Sequence, residues 1–313
     1  MGRGQYIQRR LLLMIFVLFG VTIIIFGMVR VIPGDPAFLI LGDRATEETA
    51  AALRQQLGLN KPLLVQYWDF VSGFVKGQMG SSLLYRQPVS NLLLRRIPVS
   101  LFLAAYATTL AALLTFGFGT LAAIQRGKLA DHLVRIGFLF FLTTPAFWLG
   151  LLLIIVLSLR LHLFPTGGYG QTFPDHIRYL FLPALTLGLQ LAAVLIRNLR
   201  GQILLVQRAD YVRTARSKGL TERMILSRHT MRNALIPVVT IFGLQFGYLV
   251  GGTIVIEFVF AIPGVGQLLF QSITARDYPV IQSIVVISAF FVILVNLLVD
   301  LSYSFLDPRV SYE

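Results

Sequence analysis

Residues 211–229 are YVRTARSKGLTERMILSRH, a short segment rich in arginine that contains one glycine, Gly219. It lies between two runs without any charged residue, Tyr179–Ile196 and Asn233–Ile256. A helix that crosses a membrane needs about 20 mostly apolar residues. The pattern therefore predicts two spanning helices joined by a short basic connection.

The rest of the chain repeats this pattern. Of its 313 residues 56% are hydrophobic and 13% are charged, whereas soluble domains average about a quarter charged residues. The runs are too long and too uniform for the alternating strands of a membrane barrel. We predict an all-α polytopic membrane protein with six transmembrane helices, centred on the runs Leu11–Val29, Ile97–Gln125, Ile136–Leu159, Tyr179–Ile196, Asn233–Ile256 and Tyr278–Val299.

The positions of basic residues predict the topology. Arg3, Arg9 and Arg10 precede the first run and place the N-terminus in the cytoplasm. The connection 197–232 carries nine Lys/Arg and two acidic residues, so it also belongs inside. The predicted segments are a cytoplasmic N-terminus (1–10), a first helix without a cleavage site (11–32), an external loop with short helices (33–96), a five-helix core (97–304) and a cytoplasmic tail (305–313). The core includes a cytoplasmic loop (198–232) and an external loop (258–277).

Two loops contain further signals. In the first loop Thr46 is placed to cap a helix that ends at Gly58, and Pro62 is placed to open another. Later in the chain, Phe258–Ala275 is an additional uncharged run broken by proline and glycine. A seventh span there would move the C-terminus outside, so we favour an external or re-entrant loop over 258–277.

The composition argues against an enzyme. The chain has no cysteine, and its four histidines are scattered without the spacing of metal ligands, so we expect no metal site. The pattern Gly-x-x-x-x-Gly-Lys-Ser/Thr, which holds ATP phosphates, is missing; Gly127-Lys128 is followed by Leu129. No filter sequence of a channel and no internal repeat of a secondary transporter is visible.

The basic segment has two interpretations. It is a plain topological anchor if it only follows the positive-inside rule. It is a docking element if Tyr211–Lys218 forms a helix, Gly219 takes the left-handed conformation and Thr221 caps a second helix that extends to about Arg228. Apolar contacts would lie among the arginines, at Val212, Ala215, Leu220, Met224 and Ile225.

The segment resembles the cytoplasmic loop of ABC-importer permeases, whose general pattern is Glu-Ala-Ala, three residues, Gly, nine residues, Ile-x-Leu-Pro. Here Arg213-Thr214-Ala215 stands at the Glu-Ala-Ala positions and His229-Thr230-Met231-Arg232 at the last four, so only the second alanine and Gly219 match. YVRTARSKGL followed by RHTMRNALIPVV is, however, similar to the variant in B-type permeases of dipeptide, oligopeptide, nickel and glutathione importers. Other matching stretches are VIPGDPA (31–37), LGLNKPLLVQYW (57–68), GSSLLYRQPV (80–89), FPTGGY (164–169), LPALTLG (182–188), the turn IPGVG (262–266), RDYPVIQ (276–282) and DPRV (307–310).

This resemblance implies a type I importer permease, one half of a heterodimeric pore in a bacterial or archaeal cell membrane. Its expected partners are a C-type permease, two cytoplasmic ATPases that hold ATP and Mg²⁺, and a periplasmic or lipid-anchored binding protein; no nucleic acid and no cofactor on this chain are expected. Transport proceeds by alternating access, and the cargo is a dipeptide, oligopeptide or glutathione, with nickel complexes and oligosaccharides as alternatives. The residues expected to couple to the ATPases are Tyr211, Arg213, Thr214, Ala215, Lys218, Gly219, Leu220, Met224 and Arg228.

Two further sets of residues are candidates for the transport path and for contact with the binding protein. Glycines at four-residue spacing let helices approach closely, which fits either a moving interface or static packing. The path candidates are Gln190, Gln245, Gly243, Gly247, Gly251 and Asn296. The loop candidates are Pro263, Gly264, Gly266 and Gln267, in a loop that is either a contact for the binding protein or an interfacial lid. Glu257 and Asp300 are expected at membrane interfaces, where each either contacts cargo or a gate or does neither.

Overall fold

The computed structural model describes residues 3–31, 36–41, 45–56 and 58–306. These residues are almost entirely helical, and apart from one isolated bridge between Ser81 and Pro88 they contain no β-structure. The helices are α1 (Arg3–Val31), α2 (Pro36–Leu41), α3 (Glu47–Gln56), α4 (Leu63–Val75), α5 (Val89–Leu114), α6 (Thr120–Ile124), α7 (Leu129–Thr143), α8 (Ala146–Leu153), α9 (Phe173–Val206), α10 (Asp210–Ser217), α11 (Glu222–Met224), α12 (Met231–Val259), α13 (Val265–Thr274) and α14 (Tyr278–Leu306). Three π-helical segments join some of them: Thr115–Gly119, Ile154–Arg160 and Ile225–Thr230.

Four described segments are long and apolar enough to cross a membrane: Gln8–Met28, Val89–Ile124, Phe173–Val206 and Tyr278–Leu298. The number of candidate spans rises to six if each of two bent helix pairs counts as one span. These pairs are Leu129–Thr143 with Ala146–Arg160 and Glu222–Gln245 with Leu249–Val259. The all-helical membrane fold is therefore confirmed, with four to six candidate spans.

The third apolar run does not form the continuous helix that its length predicts. Ile136–Leu159 breaks between α7 and α8, whose axes differ by 111°. Thr144 is extended, with ψ at 129°, and Pro145 caps α8. Because a proline pushes the preceding residue out of the helical region, the sequence Thr-Thr-Pro explains the break.

Several predicted boundaries shift. Helix α1 already begins at Arg3 within the segment expected to be a separate N-terminus, and α14 extends to Leu306. Helix α9 has 34 residues and extends well past both ends of its apolar run. The boundary at 32–33 and the tail stretch DPRV lie outside the described residues.

The run Phe258–Ala275 is not a span of its own. Helix α12 ends at Val259, and α13 has only ten residues, about 15 Å of helix. That is half of the roughly 30 Å hydrocarbon thickness, which supports the loop interpretation.

The chain divides into two compact units, which we describe separately. The first consists mainly of Met1–Pro98 with Leu268–Ile293. In it α4 packs against α1 through Tyr67, whose ring contacts Phe19 and Phe26 at centroid distances of 5.9 and 5.2 Å and whose hydroxyl lies 2.8 Å from Thr22 Oγ1. As predicted, Thr46 Oγ1 accepts a hydrogen bond at the start of α3, and Pro62 precedes α4.

In the same unit two stretches of the sequence resemblance meet. The carboxylate of Asp277, which is fully buried, accepts hydrogen bonds from Ser82 Oγ at 2.5 Å and from the Leu84 amide at 3.1 Å. The Tyr85 hydroxyl donates to Gln271 Oε1 at 2.6 Å. These contacts hold 80–89 against RDYPVIQ (276–282).

The second unit consists mainly of Val99–Gln267 with Leu294–Ser311, and α9 forms its buried axis. One apolar cluster joins α9 to α7 and α12, and a second joins α9 to α5 and α12. Helix α9 begins with a capping box in which Thr172 and Asp175 exchange hydrogen bonds. The apolar core of the second unit therefore fixes the helices from which the candidate coupling residues project.

Candidate functional site

The basic segment forms two helices at a glycine turn, as predicted. Helix α10 ends at Ser217, and Gly219 has φ +82°, a conformation in which glycine avoids the strain of a Cβ. Thr221 caps the second helix by accepting a hydrogen bond from the Met224 amide at 3.4 Å. Beyond it the helix does not stop near Arg228, because a π-helical turn continues directly into α12.

The two helices have a small apolar core of their own. Val212, Ala215 and Ile225 are buried, and Val206 and Leu220 pack against them. Val206 is the last residue of α9, so this core fixes the segment to the long central helix. Three of the five predicted apolar contact residues are therefore internal, and Met224 with part of Leu220 remains at the surface.

Most of the residues expected to couple to an ATPase are exposed. Ala215 is buried and Leu220 is half-buried. The exposed ones are Tyr211, Arg213, Thr214, Lys218, Gly219, Met224 and Arg228. The segment therefore presents a basic surface on a compact helical support.

Two polar contacts stabilise the angle between the helices. Arg216 Nε and Nη2 donate to the Glu222 carboxylate at 2.6 and 3.1 Å, across the glycine turn. This hydrogen bond and the carboxylate charge raise the pKa of Arg216 above its ordinary value. The Asn233 amide donates to the Tyr211 hydroxyl at 2.9 Å and to the His229 carbonyl at 3.0 Å, which connects α10 to α12.

Two of the transport-path candidates lie together. Gln190 of α9 and Gln245 of α12 line one cavity of about 200 Å³, whose other walls are leucines, Val194 and Gly252. The Gln190 amide also donates to the Thr144 carbonyl at 2.7 Å, at the break between α7 and α8. Asn296 is exposed on α14 and does not line this cavity.

The glycines of α12 differ in their surroundings. Gly243 is buried and Gly247 is half-buried. A Cβ placed on Gly251 would meet no atom within 4 Å, whereas one on Gly252 would approach Leu187 Cδ2 at 3.3 Å. The close approach of α12 to α9 therefore occurs at Gly252 and not at Gly251.

The loop after α12 is organised around Glu257, which is completely buried. Its carboxylate accepts hydrogen bonds from Ser100 Oγ at 2.6 Å, from the Gly266 amide at 2.6 Å and from the Gln267 amide at 3.3 Å. Ser100 Oγ in turn accepts from the Val265 amide at 2.8 Å. The carboxylate thereby satisfies amides at the start of α13 and complements that end of the helix dipole.

Two glycines of this loop lie where the neighbouring atoms leave no room for a Cβ. Gly264 and Gly266 are buried, while Pro263 and Gln267 are half-buried. A Cβ on Gly264 would lie 2.6 Å from Ser100 Oγ and would overlap the Glu257 carboxylate, and one on Gly266 would overlap the Ile254 backbone. These two glycines therefore shape the loop from inside.

The partners of the buried carboxylates were not predictable from the sequence. Asp131 is 1% exposed and binds Arg200 through two bonds of 2.7 Å, and it also accepts from the Gly127 amide at 2.9 Å. In the sequence, the only indication of a buried carboxylate is its position beside an apolar run, as at Glu257. In the part of the chain that the structure describes, no three His, Asp or Glu side chains are grouped as metal ligands.

Comparison with known families identifies the chain. Residues 115–312 match the model of the "binding-protein-dependent transport system inner membrane component", and residues 4–104 match that of the N-terminal part of such membrane components. The chain belongs to this family. It is the permease subunit of a binding-protein-dependent ABC importer and a multi-pass membrane protein.

Relatives span the whole permease. The glutathione transport system permease proteins GsiC of Escherichia coli strain K12 and of Shigella flexneri serotype 5b are each 41% identical to it over 309 residues, which is 99% of either chain. Among solved structures, an inward-facing form of the MetNI methionine ABC transporter matches with a TM-score of 0.58 and 17% identity, over 69% of the permease and 96% of that chain. An amino acid ABC transporter with histidines matches with a TM-score of 0.54 and 16% identity, over 69% and 94%. These structures support the importer permease fold.

Proposed function

We propose that the permease forms one half of a pore in a bacterial or archaeal cell membrane and imports glutathione or another small peptide. A C-type permease completes the pore, two cytoplasmic ATPases supply the energy, and an external binding protein delivers the cargo. The observation that carries the proposal is the exposed basic helix pair around Gly219, built on the end of α9 and continuous with α12.

The helix pair suits transmission of force. It has its own buried core, so it moves as a body, and its two ends continue into α9 and α12. These two helices supply most of the lining of the cavity with Gln190 and Gln245, and Leu142 of α7 completes it. A displacement of the pair by an ATPase would therefore change the spacing of the helices around that cavity, as alternating access requires.

The cargo is proposed on the relatives and on the cavity. The proteins that are 41% identical carry the name of glutathione permeases. Gln190 and Gln245 offer amides without net charge, which fits the peptide groups of a small zwitterion. Nickel complexes and oligosaccharides are the alternatives that an uptake assay distinguishes.

Coupling is tested by Gly219→Pro in the assembled importer. We expect loss of uptake, because proline cannot adopt a φ of +82°. Gly219→Asn is the matched control, because asparagine tolerates the left-handed region. Normal uptake by the proline variant together with normal recovery of the ATPases would contradict the coupling role.

Cargo is tested by uptake of labelled glutathione and labelled dipeptide in cells that produce the importer, with nickel and an oligosaccharide in parallel. Gln245→Leu removes one hydrogen-bonding group, about 1 kcal/mol, so we expect about a fivefold rise in the concentration for half-maximal uptake. Gln207→Leu, at the end of α9 and outside the cavity, is the control. Uptake of nickel or sugar without peptide uptake would refute the cargo assignment.

Topology is tested with single cysteines, since the natural chain has none. Lys218→Cys and Gln171→Cys are both exposed positions. With the basic connections in the cytoplasm, an impermeant maleimide added to intact spheroplasts labels Gln171→Cys and labels Lys218→Cys only after lysis. The reverse pattern would overturn the proposed orientation.

A further inference from the structure

The second unit contains a larger cavity that the transport function does not use. It measures about 410 Å³ and lies between α7 and α9. Two polar contacts bracket this helix pair, Asp131 with Arg200 at one end and the Thr144 carbonyl with Gln190 at the other. They show that the two helices run antiparallel. The contacts are 13 residues apart on α7 and its end and 10 residues apart on α9, which corresponds to about 15–20 Å of helix.

The lining is divided along this length. His132, Arg135, Arg197 and Arg200 all lie close in sequence to the Asp131–Arg200 contact. The remaining lining is apolar and continues toward Thr144, with Ile136, Phe138, Leu139, Leu142, Ala193 and Ile196. The cavity therefore has a basic end and an apolar body.

The boundary between these parts coincides with the start of the apolar runs. Arg135 directly precedes the run that begins at Ile136, and Arg197 directly follows the run that ends at Ile196. On both helices the charges thus lie at the level where hydrocarbon gives way to headgroups. The apolar edge of the cavity lies at the surface of the chain, with Ile136 67% exposed and Leu139 56% exposed.

The charge at the basic end is not balanced. The positive charge of Arg200 is paired with Asp131, whose carboxylate is almost fully buried. Among the described residues no carboxylate lies within ion-pair distance of Arg135 or Arg197. Two cations at the mouth of an apolar groove, at headgroup level, complement one phosphate with an attached acyl chain.

We propose that this groove binds an anionic phospholipid, with the phosphate at Arg135 and Arg197 and an acyl chain along Ile136, Leu139 and Leu142. A soluble anion would use the arginines and leave the apolar body empty. A zwitterionic lipid would fill the body and gain little from the two cations. The site therefore selects lipids by headgroup charge.

Native mass spectrometry of the importer, purified in detergent with the subunits that accompany it, measures this selection. Phosphatidylglycerol and phosphatidylcholine of equal chain length are added in equal amounts. A cation near an anionic headgroup contributes about 1 kcal/mol, or about fivefold in binding. The double variant Arg135→Gln/Arg197→Gln is expected to lower phosphatidylglycerol binding by about 25-fold at unchanged phosphatidylcholine binding.

Two further variants separate charge from shape. Arg126→Gln/Lys128→Gln removes two cations from the same connection outside the groove, and phosphatidylglycerol binding is expected to stay unchanged. Leu139→Trp fills the groove without changing any charge, and both lipids are expected to bind less. If the double arginine variant does not fold, Leu139→Trp decides the question.

Four results would overturn the proposal. The first is equal retention of the two lipids by the natural protein, and the second is unchanged lipid binding in both groove variants. The third is loss of a second permease subunit from the arginine variant with lipid binding unchanged, which would assign the groove to a subunit interface. Displacement of phosphatidylglycerol by millimolar inorganic phosphate alone would also contradict a contribution from the apolar body.

Discussion

Two arginine–carboxylate pairs in the permease have almost the same geometry and opposite surroundings. Arg200 binds Asp131 with two bonds of 2.7 Å, and Arg216 binds Glu222 with bonds of 2.6 and 3.1 Å. The first carboxylate is 1% exposed, whereas the side chains of the second pair are 45% and 66% exposed. Geometry alone therefore does not tell which pair supports the fold.

Burial changes the consequence of breaking each pair. A charge left alone in the interior loses its water and its partner together, which costs several kcal/mol, whereas an exposed pair contributes about 0–1 kcal/mol. The buried pair joins α7 to α9 in the core, and the exposed pair spans the turn at Gly219. The comparison separates the buried contact that we expect to stabilise the fold from the exposed surface for which we propose a docking role.

The largest effect is expected from Asp131→Ala. It leaves Arg200 without its partner and the Gly127 amide without its acceptor, so the free energy of unfolding should fall by about 3–5 kcal/mol. Thermal unfolding in detergent and the yield of monodisperse protein measure this. Glu222→Ala is the matched control, and equal losses in the two variants would refute the role assigned to burial.

A slightly smaller effect is expected from Glu257→Ala, which tests a buried carboxylate bound by N–H and O–H donors. The change leaves Ser100 and the amides of Gly266 and Gln267 without this acceptor. Each unsatisfied buried group costs about 1–3 kcal/mol, so we expect a loss of about 3 kcal/mol after partial relaxation. Glu257→Gln should recover part of it, because its amide oxygen still accepts. An unchanged unfolding temperature for Glu257→Ala would show that water replaces the carboxylate.

Two glycine turns extend the comparison to the backbone. Gly264→Ala places a Cβ against Ser100 and Glu257, and overpacking of this kind costs about 1–3 kcal/mol. Gly219→Ala meets no atom within 4 Å but imposes φ +82° on alanine, which costs about 1 kcal/mol. Gly219→Asn should restore stability and Gly264→Asn should not. If asparagine restores stability at both positions, it is wrong that Gly264 is required for lack of room and Gly219 for its backbone conformation.

The sequence predicts local features well, because their causes lie within a few residues. The apolar runs, the cap at Thr221 and the left-handed Gly219 follow from length, side-chain type and position. The break at Thr144-Pro145 was also local, but the length of the apolar run suggested a continuous helix. Proline at the centre of the run was the stronger signal.

The buried contacts were not predictable in this way. Asp131 pairs with a residue 69 positions away, and Glu257 accepts from a serine 157 positions away. No spacing rule connects such residues, since only the packed core brings them together. For the same reason the sequence indicated that Gln190 and Gln245 were polar groups in spans, but only the structure places them on one cavity.

The smallest effect on stability is expected from Glu222→Gln. The buried contacts of Val212, Ala215 and Ile225 hold the helix pair without the ion pair, so the free energy of unfolding should change by less than about 1 kcal/mol. Even this difference should vanish in 1 M salt, where the screening length falls to about 3 Å. The measurement is thermal unfolding at low and high salt, with Asp131→Asn alongside, whose loss should persist at high salt because its site is buried. If Glu222→Gln lowered the free energy of unfolding as much as Asp131→Asn does, and independently of salt, the exposed pair would also stabilise the fold. The distinction between a buried pair that stabilises the fold and an exposed pair that does not would then be wrong.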